Sequence, residues 1–346
     1  MRYRLAVTMG DAAGIGPEVV VKALADKGIY QNCIPVVVGD RAPLEDALGF
    51  CKSDLRLRQI ETPGEAKGRW GEIEYLDTGL LKKGSWTYRQ ASVLAGEAAF
   101  QYIVRAIELA MAGEVHGVVT GPIHKEAVNR AGHHFSGHTE IFAEYTHTPS
   151  YGMLLTSPRL RVIHVTTHVA LREACRLIQE EPQRVENAIG LARQAMELLG
   201  IAQPRIAVAG LNPHCSESGL FGTEEQNSIA PAIRKCRAAG MDVEGPVPPD
   251  TVFVKAMAGM YDVVVAMYHD QGHIPLKLSG FVMDGESGTF VSMAGVNSTI
   301  GLPIIRTSVD HGTAFDIAGK GIANEGSMRD AIDMAVQMAK VKYPEG

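Results

Sequence analysis

The sequence predicts an α/β protein built around a largely parallel sheet, and three observations carry that expectation. Short β-branched runs alternate with longer stretches of helical period along the chain. Turn-forming residues stand where one type gives way to the other. No internal repeat, low-complexity tract or linker breaks the pattern, so the roughly two domains suggested by 346 residues should pack tightly.

The first strand is expected at residues 4–8. Met9-Gly-Asp-Ala-Ala-Gly-Ile-Gly-Pro17-Glu18 then opens a helix, with Pro17 suited to its first position and Glu18 to its first turn. A second strand is expected at 35–38. Phe100, Ile103, Ile107 and Met111 recur on one helical face before a strand at 117–120. Another strand is expected at 161–166. Val185, Ala188, Ile189, Ala192, Met196 and Leu199 mark a helix closed by Gly200. Strands follow at 205–209, 262–267 and 304–307, and Met328, Ile332, Ala335, Val336 and Ala339 mark a final helix.

Composition narrows the function. The chain is 46% apolar with a net charge of −6 and no basic block, which argues against nucleic-acid binding. Apolar runs such as Asp262-Val-Val-Val-Ala-Met-Tyr268 fall far short of the roughly 20 residues a membrane span needs. Residues 1–10 reach a polar, glycine-rich segment too soon for a secretory core, so a soluble cytoplasmic protein is expected. The five cysteines are widely spaced without a CxxC and do not form a disulfide framework; only Cys215 sits beside a candidate site residue.

In open α/β sheets ligands gather at the carboxyl ends of strands. Three expected strands run out at histidines there, His168, His214 and His269. Neutral imidazole is the common nitrogen donor to zinc and related ions, and three donors leave a position open for substrate. The competing reading is three separate hydrogen-bonded loop histidines. In Ser136-Gly-His138-Thr139-Glu140 either an anion site or a simple helix cap by Ser136 or Thr139 is expected. Lys277 and Arg306, if buried near a metal, would suit phosphate and carboxylate groups. The glycine loop at 10–16 lacks the GxGxxG spacing of a Rossmann fingerprint.

Seven ordered segments resemble the 4-hydroxythreonine-4-phosphate dehydrogenase family, including its D-threonate/D-erythronate 4-phosphate branch. They are Gly10-Asp-Ala-Ala-Gly-Ile-Gly-Pro-Glu18, Thr120-Gly-Pro-Ile-His-Lys125, Ser136-Gly-His-Thr-Glu140, Thr166-Thr-His168, Gly210-Leu-Asn-Pro-His214, Met267-Tyr-His-Asp-Gln-Gly272 and Arg306-Thr-Ser-Val-Asp-His-Gly-Thr313. The first segment and 311–324 are also similar to the wider β-decarboxylating dehydrogenases such as isopropylmalate dehydrogenase. In those enzymes the latter loop cradles the adenosine of NAD.

The resemblance implies a two-domain, isocitrate/isopropylmalate dehydrogenase-like α/β fold with an interdomain active-site cleft. Residues 1–125 plus 308–346 would form a discontinuous cofactor-side domain, and 126–307 the metal, substrate and dimerisation domain. It implies His168, His214 and His269 as ligands of one divalent ion, zinc first, with magnesium and cobalt as alternatives. His138 and Thr139 match substrate contacts on the phosphate side; Lys277, Asn297, Arg306 and Asp250 match further substrate or site positions. Gly312, Asp316 and Asn324 match the NAD-binding loop, with NADP as the alternative cofactor. Lys277, or Asp270 in competition with it, would take the hydroxyl proton. A homodimer with a shared active site is implied, as is oxidation of a four-carbon 4-phosphorylated hydroxy acid (4-phosphohydroxy-L-threonine, or D-threonate or D-erythronate 4-phosphate) followed by decarboxylation. The rival expectations are a dehydrogenase of an unphosphorylated cis-dihydrodiol carboxylic acid and a non-redox metal- and phosphate-binding protein.

Two departures bear on the substrate. The family continues Ala-Gly-Glu after its Asn-Pro-His, whereas this chain has Cys215-Ser216-Glu217, so a serine stands where a glycine is usual. Residues 282–294 add about ten residues between Lys277 and Asn297, either a specificity element or a surface insertion.

Overall fold

The computed structural model describes residues 1–285 and 290–344. The chain divides into two compact units, 1–149 with 302–346, and 150–301. In the first, β1 (Tyr3–Thr8), β2 (Cys33–Val38), β3 (Arg56–Gln59), β4 (Glu72–Leu76) and β5 (Gly117–Thr120) come from the N-terminal stretch. The second contains β6 (Gly152–Thr156), β7 (Arg161–His164), β8 (Ile206–Ala209), β9 (Val243–Val247) and β10 (Val263–Ala266). It also contains β11 (Phe281–Met283), β12 (Phe290–Met293) and β13 (Val296–Ile300), and β14 (Arg306–Val309) returns to the first unit.

Within the first unit the strand order is β3-β4-β2-β1-β5-β14, and every pairing is parallel. Within the second it is β13-β6-β7-β10-β8-β9, with the β13–β6 and β6–β7 pairs antiparallel and the rest parallel. The mostly parallel α/β sheet is therefore present.

The central strands are apolar throughout because helices cover both faces of a parallel sheet. Val263, Val264, Val265 and Ala266 of β10 are all buried. The second unit's core joins Leu155, Val162, Ala207, Val252, Phe253, Val264 and Leu276. All six marked residues of the helix Gln183–Leu198 and its C-cap are buried, as are the five of the helix Gly326–Lys342. Met111 departs from expectation. It is the last residue of the helix Val93–Met111 and is 50% exposed, whereas Phe100, Ile103 and Ile107 are buried.

Residues 126–149 and 302–307, expected in the central domain, belong to the terminal unit. The physical reason is strand pairing: Arg306, Thr307 and Ser308 of β14 register against Val118, Val119 and Thr120 of β5. His138, Thr139 and Arg306 thus lie in the same unit as the two glycine loops.

Those loops touch. Ile15 N–H donates to the Thr313 carbonyl at 3.0 Å, and Ala323 N–H donates to the buried Glu18 carboxylate at 2.8 Å. Glu18 therefore fixes the 310–324 loop as well as occupying a helix's first turn. Gly10 is required at its position, because its φ is +76° and a Cβ there would lie 2.5 Å from the Pro122 carbonyl oxygen.

The added segment at 282–294 contains an antiparallel hairpin, β11 with β12. Its residues 286–289 lie outside the described set.

Candidate active site

A candidate anion site is built in the first unit. The helix His138–Tyr145 begins after Gly137, and among the described residues no side chain caps it there, so of the two readings the simple cap by Ser136 or Thr139 is not the one seen. The positive end of a helix dipole favours an anion. Arg306, from β14, is 2% exposed and donates through Nη2 to Thr120 Oγ1 at 2.8 Å. Its guanidinium lies 5.5 Å from the Phe142 ring centre. Burial pushes its pKa down to about 9, with Glu140 opposing, so it stays cationic at neutral pH.

Burial, then the positive charges of Arg306 and Lys125, push His138 well below the usual imidazole value. It is therefore neutral, and its buried Nε2 has no hydrogen-bond partner. Lys125 was not among the expected contacts. A Cβ on Gly137 would sit 3.8 Å from Lys125 Nζ, which brings that ammonium to the start of the same helix. Its presence in the Thr120–Lys125 motif was the available signal.

The loop carrying Gly312, Asp316 and Asn324 lies in this unit too. A Cβ at Gly312 would meet nothing within 4 Å, and Asp316 and Asn324 are exposed. Asn324 Oδ1 accepts from Gly326 N–H at 2.8 Å. Phe315 stacks on His124 at 4.8 Å, anchoring the loop's middle. An open glycine between anchored ends leaves room for a planar ligand against the backbone.

A candidate histidine site lies in the second unit. His168 follows β7, and His269 begins the helix His269–Gly280 after β10. Their ring centres are 6.0 Å apart, and they line a cavity of about 310 Å³ with Thr167, Tyr268 and Asp270. Nitrogen–zinc distances of about 2.0–2.1 Å with tetrahedral angles put the ring centres of two ligands on one ion roughly 5 Å apart. This pair stands somewhat wider, within reach of one divalent ion after a small side-chain rotation. His269 Nδ1 pairs with the Asp270 carboxylate at 2.7 Å, an arrangement that fixes the ring and leaves Nε2 for an ion.

His214 is exposed, on the loop after β8, and is not gathered with the pair. Among the described residues, no three His, Cys, Asp or Glu side chains are close enough to hold an ion together.

The His214 loop has an unusual backbone. His214, Cys215, Ser216, Glu217 and Ser218 all have positive φ, between 44° and 68°. Left-handed conformation costs about 1–2 kcal/mol per non-glycine residue, so this run of five needs roughly 5–10 kcal/mol of support. Ser216, in the family's glycine position, is fully buried with a φ of 68°.

Two histidines absent from the sequence expectations extend the pair. His273 stacks on His269 at 3.7 Å and 14°, with its Nδ1 2.9 Å from the His269 carbonyl oxygen. His164, the last residue of β7, is 4.8 Å from His273 and 5% exposed. Gly272 permits this approach, since a Cβ there would be 2.3 Å from His164 Nε2. The four-residue spacing of 269 to 273 places both rings on one helix face, a signal legible in the sequence.

Burial, followed by the neighbouring His273 and His269, pushes His164 down to about 3. An unfolded imidazole titrates near 6.5, so between those values the unfolded chain binds a proton that the fold rejects. Stability is therefore full above pH 6.5 and falls as pH drops toward 3. His164→Leu is expected to lower the slope of unfolding free energy against pH by about 1.4 kcal/mol per unit between pH 6 and 4. Denaturant titrations at a series of pH values measure this, and an unchanged slope contradicts it.

The remaining expected residues are dispersed in the second unit. Asp250, in the first turn of the helix Pro249–Met257, lines a groove of about 750 Å³ with Phe253, Tyr268 and Asp270. Asn297, on β13, donates to Met153 Sδ at 2.8 Å. Lys277 is exposed, with Nζ 5.5 Å from the Phe281 ring centre, so the condition of burial is met by Arg306 only and not by Lys277. The helix turns Leu276 inward and Lys277 outward.

No helix among the described residues is long and apolar enough to cross a membrane. A family model described as pyridoxal phosphate biosynthetic protein PdxA matches residues 31–335. The chain is 49% identical over 336 residues to a D-threonate 4-phosphate dehydrogenase of Cupriavidus necator, covering 97% of each chain. It is 48% identical over 338 residues to one of Salmonella typhimurium, covering 97% of this chain and 98% of the relative. A crystal structure of 4-hydroxythreonine-4-phosphate dehydrogenase from Klebsiella pneumoniae superposes with a TM-score of 0.85 at 44% identity, covering 97% of this chain and 99% of that one. With the family model matching most of its length and these relatives identical to it at nearly half of the aligned positions, the chain belongs to the PdxA family.

Proposed function

We propose that this protein oxidises a four-carbon 4-phosphorylated hydroxy acid with NAD and one divalent ion, and that the resulting β-keto acid loses carbon dioxide. The candidate substrates are D-threonate or D-erythronate 4-phosphate and 4-phosphohydroxy-L-threonine. The observation that carries the reading is the buried cation of Arg306 beside the uncapped start of the helix His138–Tyr145. A buried guanidinium near the positive end of a helix dipole suits a phosphate dianion better than the single charge of a diol carboxylate. The proposal includes a cytoplasmic homodimer.

His168 and His269 would hold the divalent ion, with His214 as third donor by family resemblance. When bound, the ion supplies Lewis acidity toward the substrate's oxygens, and NAD supplies the two-electron acceptor. Arg306, His138 and Thr139 hold the phosphate, and neutral His138 can donate a hydrogen bond without adding charge. Asp270 is engaged with His269, which leaves Lys277 Nζ as the acceptor of the hydroxyl proton. Asn297 and Asp250 orient the acid, and Gly312, Asp316 and Asn324 hold the adenosine of NAD, with NADP as the alternative.

The test compares D-threonate 4-phosphate with D-threonate by NADH formation. Loss of the phosphate is expected to lower kcat/KM by about 10³-fold, as for other lost charge-assisted contacts. Equal turnover of the two, or turnover only of a cis-dihydrodiol carboxylic acid, overturns the assignment.

A further inference from the structure

The left-handed run at 214–218 needs something to hold it, and one side chain is placed to do so. Glu225 starts the π-helical turn Glu225–Ile229 and is 2% exposed. Its Oε1 accepts from Leu211 N–H at 2.7 Å and from Asn212 N–H at 2.6 Å. Its Oε2 accepts from Asn212 Nδ2 at 2.9 Å and from the Ser216 hydroxyl. One carboxylate thus ties the end of β8 to the middle of the left-handed run. Burial pushes the carboxyl up, but the hydrogen bonds from Asn212 and Ser216 outweigh it and leave the group ionised.

Neighbouring groups extend the hold without replacing it. Glu224 Oε2 accepts from Asn212 Nδ2 at 2.8 Å and from Thr223 N–H at 3.0 Å. On the other side Gln271 bridges two strand ends, accepting from Met267 N–H at 2.7 Å and donating to the Gly210 carbonyl at 2.8 Å. That bridge fixes the base of the loop; within it Cys215 N–H donates to the Asn212 carbonyl and Phe221 N–H to the Ser216 carbonyl, both at 3.1 Å, and Glu225 is the charged side chain that joins these pieces to the end of β8.

We propose that Glu225 is the positioning residue of the His214 loop, with Ser216 as its partner inside the run. A glycine at position 216 would adopt the left-handed conformation without help. The serine found here substitutes a hydrogen bond to Glu225 for glycine's conformational freedom. The benefit to ion binding rests on the reading of His214 as a ligand, whereas the hold on the loop does not.

The experiment uses the full-length protein and two independent readouts. In metal-free protein, Glu225→Gln is expected to speed amide hydrogen exchange across 211–222 by at least about tenfold, because the single oxygen of an amide cannot serve both the backbone N–H groups of Leu211 and Asn212 and the side-chain donors of Asn212 and Ser216. Cobalt(II) alone, followed by its visible absorption, should bind about 10–100-fold more weakly, as for other lost supports of a ligand. Ser216→Ala, a milder change that keeps the carboxylate, should move both readouts in the same direction by less. Ile189→Val, a core change in the same unit, should lower Tm and leave cobalt affinity unaltered.

Unchanged exchange in both loop variants overturns the proposal. So does faster exchange with unchanged cobalt affinity when His214→Ala does weaken cobalt. If His214→Ala leaves cobalt affinity unchanged, the ligand reading of His214 falls, and the exchange result alone decides whether Glu225 holds the run.

Discussion

Arg306→Met is expected to lower kcat/KM for the phosphorylated acid by about 10²–10³-fold, chiefly through KM, while leaving Tm within a few degrees of the parent. The two effects have different origins. A buried guanidinium that grips phosphate by charge-assisted hydrogen bonds contributes about 2–5 kcal/mol to binding, and methionine removes that contribution entirely. Folding is another matter. The pKa of Arg306 is depressed to about 9 because burial strips its solvent, so the charge is a liability to the fold. A linear apolar side chain of similar reach relieves that strain and offsets the lost Thr120 hydrogen bond. Steady-state kinetics with phosphorylated and unphosphorylated acid, beside thermal unfolding, measure both. A variant that melts far below the parent, or that keeps its KM, shows that Arg306 serves the fold rather than the phosphate.

His269→Ala should have the largest effect on the opposite end of the chemistry. It removes a ring paired with Asp270 and stacked on His273, and with it one of the two imidazoles that stand 6.0 Å apart. Divalent-ion affinity is expected to fall by more than about 10²-fold and turnover by about 10³-fold or more. Two companion variants separate holding from proton transfer. Asp270→Asn should weaken ion binding about 10–100-fold by loosening the ring's orientation. Lys277→Met should lower kcat and change its pH profile with ion affinity intact. Normal ion affinity in Asp270→Asn together with a collapsed kcat would reverse the two roles.

Much of this arrangement was legible in the sequence. The alternation of apolar strands and helices read correctly because β1, β5, β8 and β10 are buried on both faces and carry almost no polar residue. β3 escaped notice because it is an edge strand, Arg-Leu-Arg-Gln, whose charges protect an exposed edge and erase the apolar pattern. β9 escaped because Gly245 and Pro246 interrupt it. The central domain's first limit was placed too early and its last too late, the latter because sequence patterns cannot show that β14 pairs with β5 across nearly two hundred residues.

At the site, His168 and His269 were legible because each stands where a strand gives way to a loop or helix. The conformation after His214 was not. Five successive non-glycine residues with positive φ contradict the usual rule, and the support comes from Glu225, eleven residues beyond His214 with no periodic signal linking them. Lys277 could be read as buried or solvated from the sequence, and the helix decides it: Leu276 is buried while Lys277 and Leu278 are exposed. Burial at helix positions follows which face packs on the core, and neighbours in sequence do not share a face.

The proposed activity, metal-dependent and NAD-linked oxidation of a phosphorylated four-carbon acid, is checked by following NADH and carbon dioxide from the three candidate acids with chelator-treated enzyme, before and after zinc, magnesium or cobalt is restored. The expected result is equal formation of NADH and carbon dioxide from at least one phosphorylated acid, abolished by chelation and recovered with the ion. No NADH from any of them with ion and NAD both supplied, or undiminished NADH after the ion is removed, would contradict it.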